Sequence, residues 1–369
     1  MKKELLIFLS ALALILLSAN LILAEEEKRG QFFIEMEDWY VKASNVDYEI
    51  STIQTGESSS NLSIPSSYGD SARYRLGWDF KNDLGAIEFI FWNHDNRDRI
   101  KRTDAGNFAF TQNLSPAPFA GVYDDGMADG VFSESKFVVR SLSLLFSRGL
   151  VNGERVKADW GIGVRKISHK HTFNTTYYFL TPKFSHQFIE PNFSHLIPLN
   201  DTLREVSSLE ARGLETKASI FFPMMRRVSI GSDIAISYLI GRSRSEYVSK
   251  NHYYATSVGN YLDPKVEGLS FSEFDQQLTF TTAAKGREKD SAILITEADL
   301  KIIWNVWKTV NLTFGYALAL WNGSMLRQDV NVADSSPESW DYLDVSQYSR
   351  AVRDDIVFQG LYMTVSYRY

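Results

Sequence analysis

From about residue 32 onward, apolar and polar residues alternate with a period of two. At the C-terminus Leu361, Met363, Val365, Tyr367 and Tyr369 take the odd positions, and Gly360, Tyr362, Thr364, Ser366 and Arg368 take the even ones. In an extended chain these sets point to opposite sides. Upstream, Tyr74, Leu76, Trp78 and Phe80 oppose Arg73, Arg75, Gly77 and Asp79, and Leu312, Phe314, Tyr316, Leu318 and Leu320 oppose Thr313, Gly315 and Ala317. The pattern predicts ten strands, at 32–40, 73–80, 86–91, 136–146, 156–165, 214–222, 228–240, 297–304, 312–320 and 360–369. The poorest is 136–146, where Lys136 and Arg140 share a face with Val138, Leu142 and Leu144.

The predicted connections alternate in length. Short ones fall at 81–83, 147–154, 223–227 and 305–309, and long ones at 41–72, 95–135, 169–206, 243–290 and 322–353. Tight turns at one end and long loops at the other, with an even strand count, are the layout of an antiparallel up-and-down transmembrane β-barrel. All nine prolines fall in these connections, as expected of a residue that cannot donate to a ladder. The run Phe271–Phe280 also alternates; as a strand pair it raises the count to twelve.

The two faces differ in kind. One carries Glu35, Glu37, Arg73, Arg75, Asp79, Glu88, Lys157, Asp159, Arg165, Glu215, Lys217, Asp233, Glu297, Asp299, Lys301 and Arg368. The other is apolar and ends in aromatics: Trp78, Phe80, Phe222, Trp304, Tyr367 and Tyr369 toward the turns, and Tyr40, Phe91 and Tyr238 toward the loops. Aromatic girdles belong at membrane interfaces, so the charged set is expected to line the lumen and the apolar set to meet lipid.

Residues 1–24 have two lysines, an apolar run and a terminal Ala24 before Glu25-Glu26-Glu27, the layout of a signal peptide. The remainder, 25–369, is expected to be one outer-membrane barrel of a Gram-negative cell. With no cysteine, the chain has no disulfides and no thiolate metal sites. A net charge of −6 argues against a nucleic-acid partner.

The final strand with its terminal aromatic resembles the assembly signal of bacterial outer-membrane proteins, which implies the barrel-insertion machinery as a partner. Arg73–Phe80, Gly161–Arg165 and the block from Gly213 through Pro223 to Arg242 loosely resemble the pore-forming family of the Legionella major outer-membrane protein. That resemblance implies pore formation.

The inward strand positions hold seven basic and nine acidic groups, a balance that favours ion pairing across a narrow lumen. Gly77, Gly161, Gly163, Gly231, Ala235, Gly315 and Ala317 argue the other way by removing bulk. Ten strands lie near the eight-stranded limit, at which side chains fill the interior. The leading expectation is a channel for passive diffusion of small polar solutes or ions. The alternative is a structural or adhesive barrel with a closed lumen, whose loops bind a surface partner.

Catalytic constellations are weak. His94-Asp95 is a possible acid–base pair at a loop root, but no Asp-x-Asp, Asp-x-His or Gly-x-Ser-x-Gly accompanies it, so no enzyme is expected. His169-Lys170-His171 lacks the further ligands of a metal site, and Asp124-Asp125-Gly126 with Asp129 has the wrong spacing for an EF-hand; neither metal nor cofactor is expected. The histidine segment, with Arg165 and Lys166, is better suited to meeting lipopolysaccharide phosphates among the outer-membrane lipids.

Overall fold

A computed structural model describes residues 30–44, 46, 48–55, 58–64, 66–80, 84–110, 127–178, 193–257, 276–330, 342–344 and 349–369. Its strands are β1 (Gln31–Ser44), β2 (Tyr48–Thr55), β3 (Ser58–Ile64), β4 (Tyr68–Phe80), β5 (Gly85–Phe110), β6 (Met127–Asn152), β7 (Lys157–Tyr178), β8 (Phe193–Met225), β9 (Val228–Ser257), β10 (Gln276–Asn305), β11 (Val310–Val330), β12 (Tyr342–Asp344) and β13 (Ser349–Arg368). Ten of them form a closed antiparallel ring in the order β1-β4-β5-β6-β7-β8-β9-β10-β11-β13, with β13 returning to β1 from Phe33–Arg368 to Ser44–Val357. The Tyr369 amide donates to the Phe32 carbonyl oxygen at 2.9 Å and extends that seam to the last residue. Through the belt closure leaves no unpaired edge among the described strands, the condition for placing backbone in hydrocarbon.

The outer surface is apolar through the middle of the ring. Met36, Phe89, Leu144, Ile162, Leu214, Ile234, Leu300, Phe314 and Leu361 all point outward and are exposed. Water would oppose such a surface and lipid favours it. At the turn end of the ring the chain reverses tightly, through Arg226-Arg227 between β8 and β9 and through 306–309 between β10 and β11.

At the other end the strands run well beyond the belt. β8 has 33 residues and β9 and β10 have 30 each, where about 9–11 suffice to span a membrane. Much of the sequence expected as loops at 95–135, 169–206 and 243–290 is therefore strand. The hairpin β2–β3 joins this extension, pairing with β5 at Ser51–Phe110, and β12 lies parallel to β10 at Thr281–Tyr342.

Two expectations need correction. Pro198 and Pro223 lie inside β8, each at a shift in register against β9, where a bulge tolerates the missing donor. Of the run Phe271–Phe280, 271–275 lies outside the described residues; Gln276–Phe280 opens β10, and the ring has ten strands, not twelve. The leader, 1–24, also lies outside the described residues.

Candidate functional site

Alternation within each strand decides what the interior holds, and the ring stacks its contents in layers. Nearest the turns is a cavity of about 630 Å³, lined among others by Asp79, Lys157, Asp159, Lys217, Asp299 and Arg368. Next come ion pairs. Arg75 meets Glu35 at 3.0 Å, Glu88 at 3.7 Å and Glu37 at 3.8 Å, while Arg73 lies 4.0 Å from Glu37. Asp233 holds Lys301 at 2.6 Å and Lys217 at 3.1 Å; Asp299 lies 3.7 Å from Lys301 and accepts the Tyr362 hydroxyl at 2.8 Å.

Arg165 crosses the lumen. From β7 its guanidinium reaches Glu297 on β10 at 2.5 Å and Glu215 on β8 at 3.6 Å, and it donates to Ser141 on β6 at 2.9 Å. It also donates to Ser237 on β9 at 3.3 Å, so one side chain ties four other strands together, a use that suits a planar fork with five donors.

Beyond Arg165 the interior turns aromatic. Trp92 of β5 meets Trp321 of β11 at 5.8 Å and Phe358 of β13 at 5.2 Å between ring centroids; Trp39 of β1 stacks on Tyr362 at 5.3 Å. In the ring order β5 and β11 stand nearly opposite each other, so rings from facing walls meet mid-lumen. Trp321 and Phe358 are fully buried. Arg165 sits 5.9 Å from the centroid of Trp321, and Arg73 5.5 Å from that of Trp39, so cation–π contacts join the ionic layer to the aromatic one.

Three of the inward glycines do not hollow this interior, whereas Gly161 borders the cavity. Phe33 pairs with Gly77, Phe221 with Gly231 and Tyr362 with Gly315, and in each pair the ring occupies the space a Cβ on the glycine would need. Each cross-strand aromatic fills the gap its partner leaves. At Gly77, Gly231 and Gly315 the bulk expected to be missing is supplied by the neighbouring strand.

Outward of the aromatic layer are three buried histidines. His169 donates through Nε2 to the Ser324 carbonyl oxygen at 2.6 Å, and His171 Nε2 is hydrogen-bonded to Ser135 Oγ at 2.7 Å. His94 packs against Trp92, Phe137 and Phe358, and neither ring nitrogen has a hydrogen-bond partner among the described residues. Burial holds His94 and His169 down to about 4 and His171 to about 3, with Arg327 acting in the same direction on His171.

The sixteen charged positions all project into the ring interior, as the cavity lining and the ion pairs above place them. Tyr40, Trp78, Phe80, Phe91, Phe222, Tyr238, Trp304, Tyr367 and Tyr369 lie on the outer face, partly or fully exposed. Other readings change. His94 points inward and Asp95 outward, so they form no dyad. His169 and His171 lie within a strand and face the interior with Arg165; none of the three can reach lipid headgroups, whereas Lys166 and Lys170 face outward. Lys136 and Arg140 also face outward, beyond the belt, which explains why they share a face with Leu142 and Leu144. Of the acidic turn, 124–126 lies outside the described residues.

The aromatic residues that meet in the lumen, Trp39, Trp92, Trp321 and Phe358, lie at or past the ends of the alternation that the sequence shows. They carried a signal all the same: beyond the belt the alternation continues with its polarity reversed, as in Phe137 and Val139 inside against Lys136 and Arg140 outside.

No family model matches the sequence and no curated protein matches it, so the Legionella likeness remains one of short segments. Among solved structures the chain is similar to the outer membrane protease OmpT from Escherichia coli, at 8% identity and a TM-score of 0.44 over 92% of this chain and 96% of that one. It is also similar to the Pseudomonas putida toluene transporter TodX (8%, TM-score 0.27, 94% and 91%) and to a major outer membrane protein from Thermus thermophilus (11%, TM-score 0.27, 92% and 99%). These neighbours are outer-membrane barrels, with protease and transporter both among them.

Proposed function

We propose that this protein is an outer-membrane barrel of a Gram-negative cell with a sealed lumen, serving as a rigid anchor for the extension that its long strands project beyond the membrane. One observation carries this reading: aromatic rings from facing walls interlock directly beyond a layer of ion pairs. Such a plug excludes water and leaves no polar route for a solute. The role is structural or surface-binding, with the extension of β5–β10 as the surface offered to a partner. Export through cleavage after Ala24, and delivery to the insertion machinery by the C-terminal strand, belong to the same reading.

A second reading, a channel for small polar solutes, is favoured by the charged cavity of about 630 Å³ at the turn end, which is half of a conduit. Planar-bilayer recording of the refolded protein separates the two. A sealed barrel is silent, and the double variant Trp321→Ala/Phe358→Ala, which removes the two rings at the centre of the plug, conducts. Steady conductance from the wild type would overturn the sealed reading and establish the channel.

A further inference from the structure

The outward wall just beyond the apolar belt is unevenly charged. On β6–β9 it presents Arg140, Lys166, Lys170, Arg212, Arg242 and Arg244, all exposed, with a single carboxylate, Glu210, among them. Strand pairing sets Lys166 directly beside Arg212. It also brings Arg140 next to Ser168, Ser168 next to Glu210 and Glu210 next to Arg242, while Lys170 neighbours Ser208, which neighbours Arg244. None of the six makes an ion pair with another described residue.

Some cations elsewhere on the extension are matched, while Lys101, Arg102, Arg204, Lys250 and Arg287 stand exposed without an ion pair among the described residues. Arg97 and Arg99 pair with Glu134, and Arg353 pairs with Glu288. On the far wall, β13, β1 and β4 show Asp355, Lys42 and Asp70. What sets β6–β9 apart is the density of unpaired cations in three adjacent rows just above the belt, and that density is held against a cost. Lys166 faces Arg212 and Arg244 faces Arg287 as cross-strand neighbours, where like charges destabilise a sheet. An anion seated between them would relieve that cost.

The wall is also shaped for an occupant. A recess of about 510 Å³ is bordered by Arg140, Lys170, Arg242 and Arg244. Directly below it lie Leu142, Val164, Leu214, Tyr238 and Ile240, all exposed and apolar. From β6 to β9 the basic field spans roughly 14 Å, three strand spacings. That width exceeds a single phosphate and suits two phosphates carried apart on a sugar headgroup, with acyl chains running down the apolar surface beneath.

We propose that this wall binds the phosphate groups of a phosphorylated outer-leaflet glycolipid of the lipopolysaccharide class. The inference rests on the membrane-spanning reading above. Arg140, Arg242 and Arg244 supply forked donors to phosphate oxygens, and Lys166, Lys170 and Arg212 add charge at the headgroup boundary. Binding is salt-sensitive because these groups stand in high dielectric.

The test uses the full refolded protein in uncharged detergent micelles. It is titrated with a bisphosphorylated acyl-disaccharide, the same lipid after phosphatase treatment, phosphatidylglycerol and inorganic phosphate, and bound lipid is counted by native mass spectrometry. The expected result is that the bisphosphorylated glycolipid binds at least about tenfold more tightly than the other three, and that Arg140→Gln/Lys170→Gln/Arg242→Gln/Arg244→Gln removes that advantage. Lys42→Gln on the far wall keeps it. Equal binding of the dephosphorylated lipid or of phosphatidylglycerol overturns the proposal, as does undiminished binding by the quadruple variant.

Stability gives an independent check. Without glycolipid, Lys166→Gln resists urea better than the wild type because a like-charge pair is relieved; with glycolipid the order reverses. An unchanged order overturns the proposal even if the quadruple variant does not fold. A protein that stays folded and monodisperse without detergent would refute the membrane reading and this proposal with it. Failure of the lipid titration alone, in a detergent-requiring barrel, refutes only the site.

Discussion

Single residues decide whether the interior is sound. Arg165 stands between Glu215 and Glu297, and removing it strands two carboxylates in a buried site. Arg165→Met is expected to lower stability by about 3–5 kcal/mol, measured as the urea midpoint in micelles; Arg165→Lys recovers only part, because one ammonium cannot reach the partners on four strands. His94 presents the opposite case, a ring with two unpartnered nitrogens in an apolar cluster. His94→Leu is expected to raise stability by about 1–3 kcal/mol. The three histidines also set a pH dependence. Their folded values of about 4, 4 and 3 lie below the unfolded value near 6.5, so between pH 6.5 and 4 the unfolded chain binds protons that the folded chain refuses. Stability therefore falls as pH drops from 7 toward 5, on the order of 2 kcal/mol per histidine at pH 5, before ordinary carboxylates titrate. A urea midpoint that holds steady over that range would contradict the buried placement. The charged identity of these positions was legible in the sequence. Their partners were not, because Arg165 and Glu297 lie 132 residues apart and meet only across the closed ring.

At the scale of elements, the period-two pattern located all ten barrel strands but stopped them short. It was read as a single rule, apolar outside and ionic inside, and that rule holds only where lipid surrounds the wall. Past the belt the solvent outside is water, so the same alternation reverses: Phe137, Val139 and Ile167 turn inward while Arg140, Lys166 and Lys170 turn outward. A reading that expects one polarity takes the reversal for a loop. Pairing between elements also reassigns the glycines. Gly315 admits the ring of Tyr362, which in turn reaches Asp299. Gly315→Val is expected to push that ring aside and cost about 1–3 kcal/mol. Tyr362→Phe keeps the ring and loses only its hydroxyl hydrogen bond, for a smaller loss of about 1 kcal/mol. Paired urea titrations of the two variants compare the costs directly.

For the whole molecule, the belt and the extension should respond to charge in opposite ways. Leu300, near the middle of the apolar belt, is 64% exposed. Leu300→Arg in lipid vesicles is expected to cost about 2–4 kcal/mol, whereas an outward charge beyond the belt, such as Thr176→Arg between Phe132 and Thr202, costs close to zero. Similar losses at both positions would place the lipid boundary wrongly. The aromatic layer across the lumen is likewise a property of the closed ring, since facing rings such as Trp92 and Trp321 come from strands far apart in sequence.

By itself the sequence determined the strand class, the strand count and which face meets lipid, because those follow from short-range alternation and from the cost of placing charge in hydrocarbon. Only the tertiary structure decided whether the interior is open. Bulk removed at Gly315 is restored by the Tyr362 ring on the neighbouring strand, and charges that balance in a tally become ion pairs only when closure brings them face to face. The same closure gathers the unmatched cations onto one wall, a grouping that depends on register between strands rather than on any local run of residues.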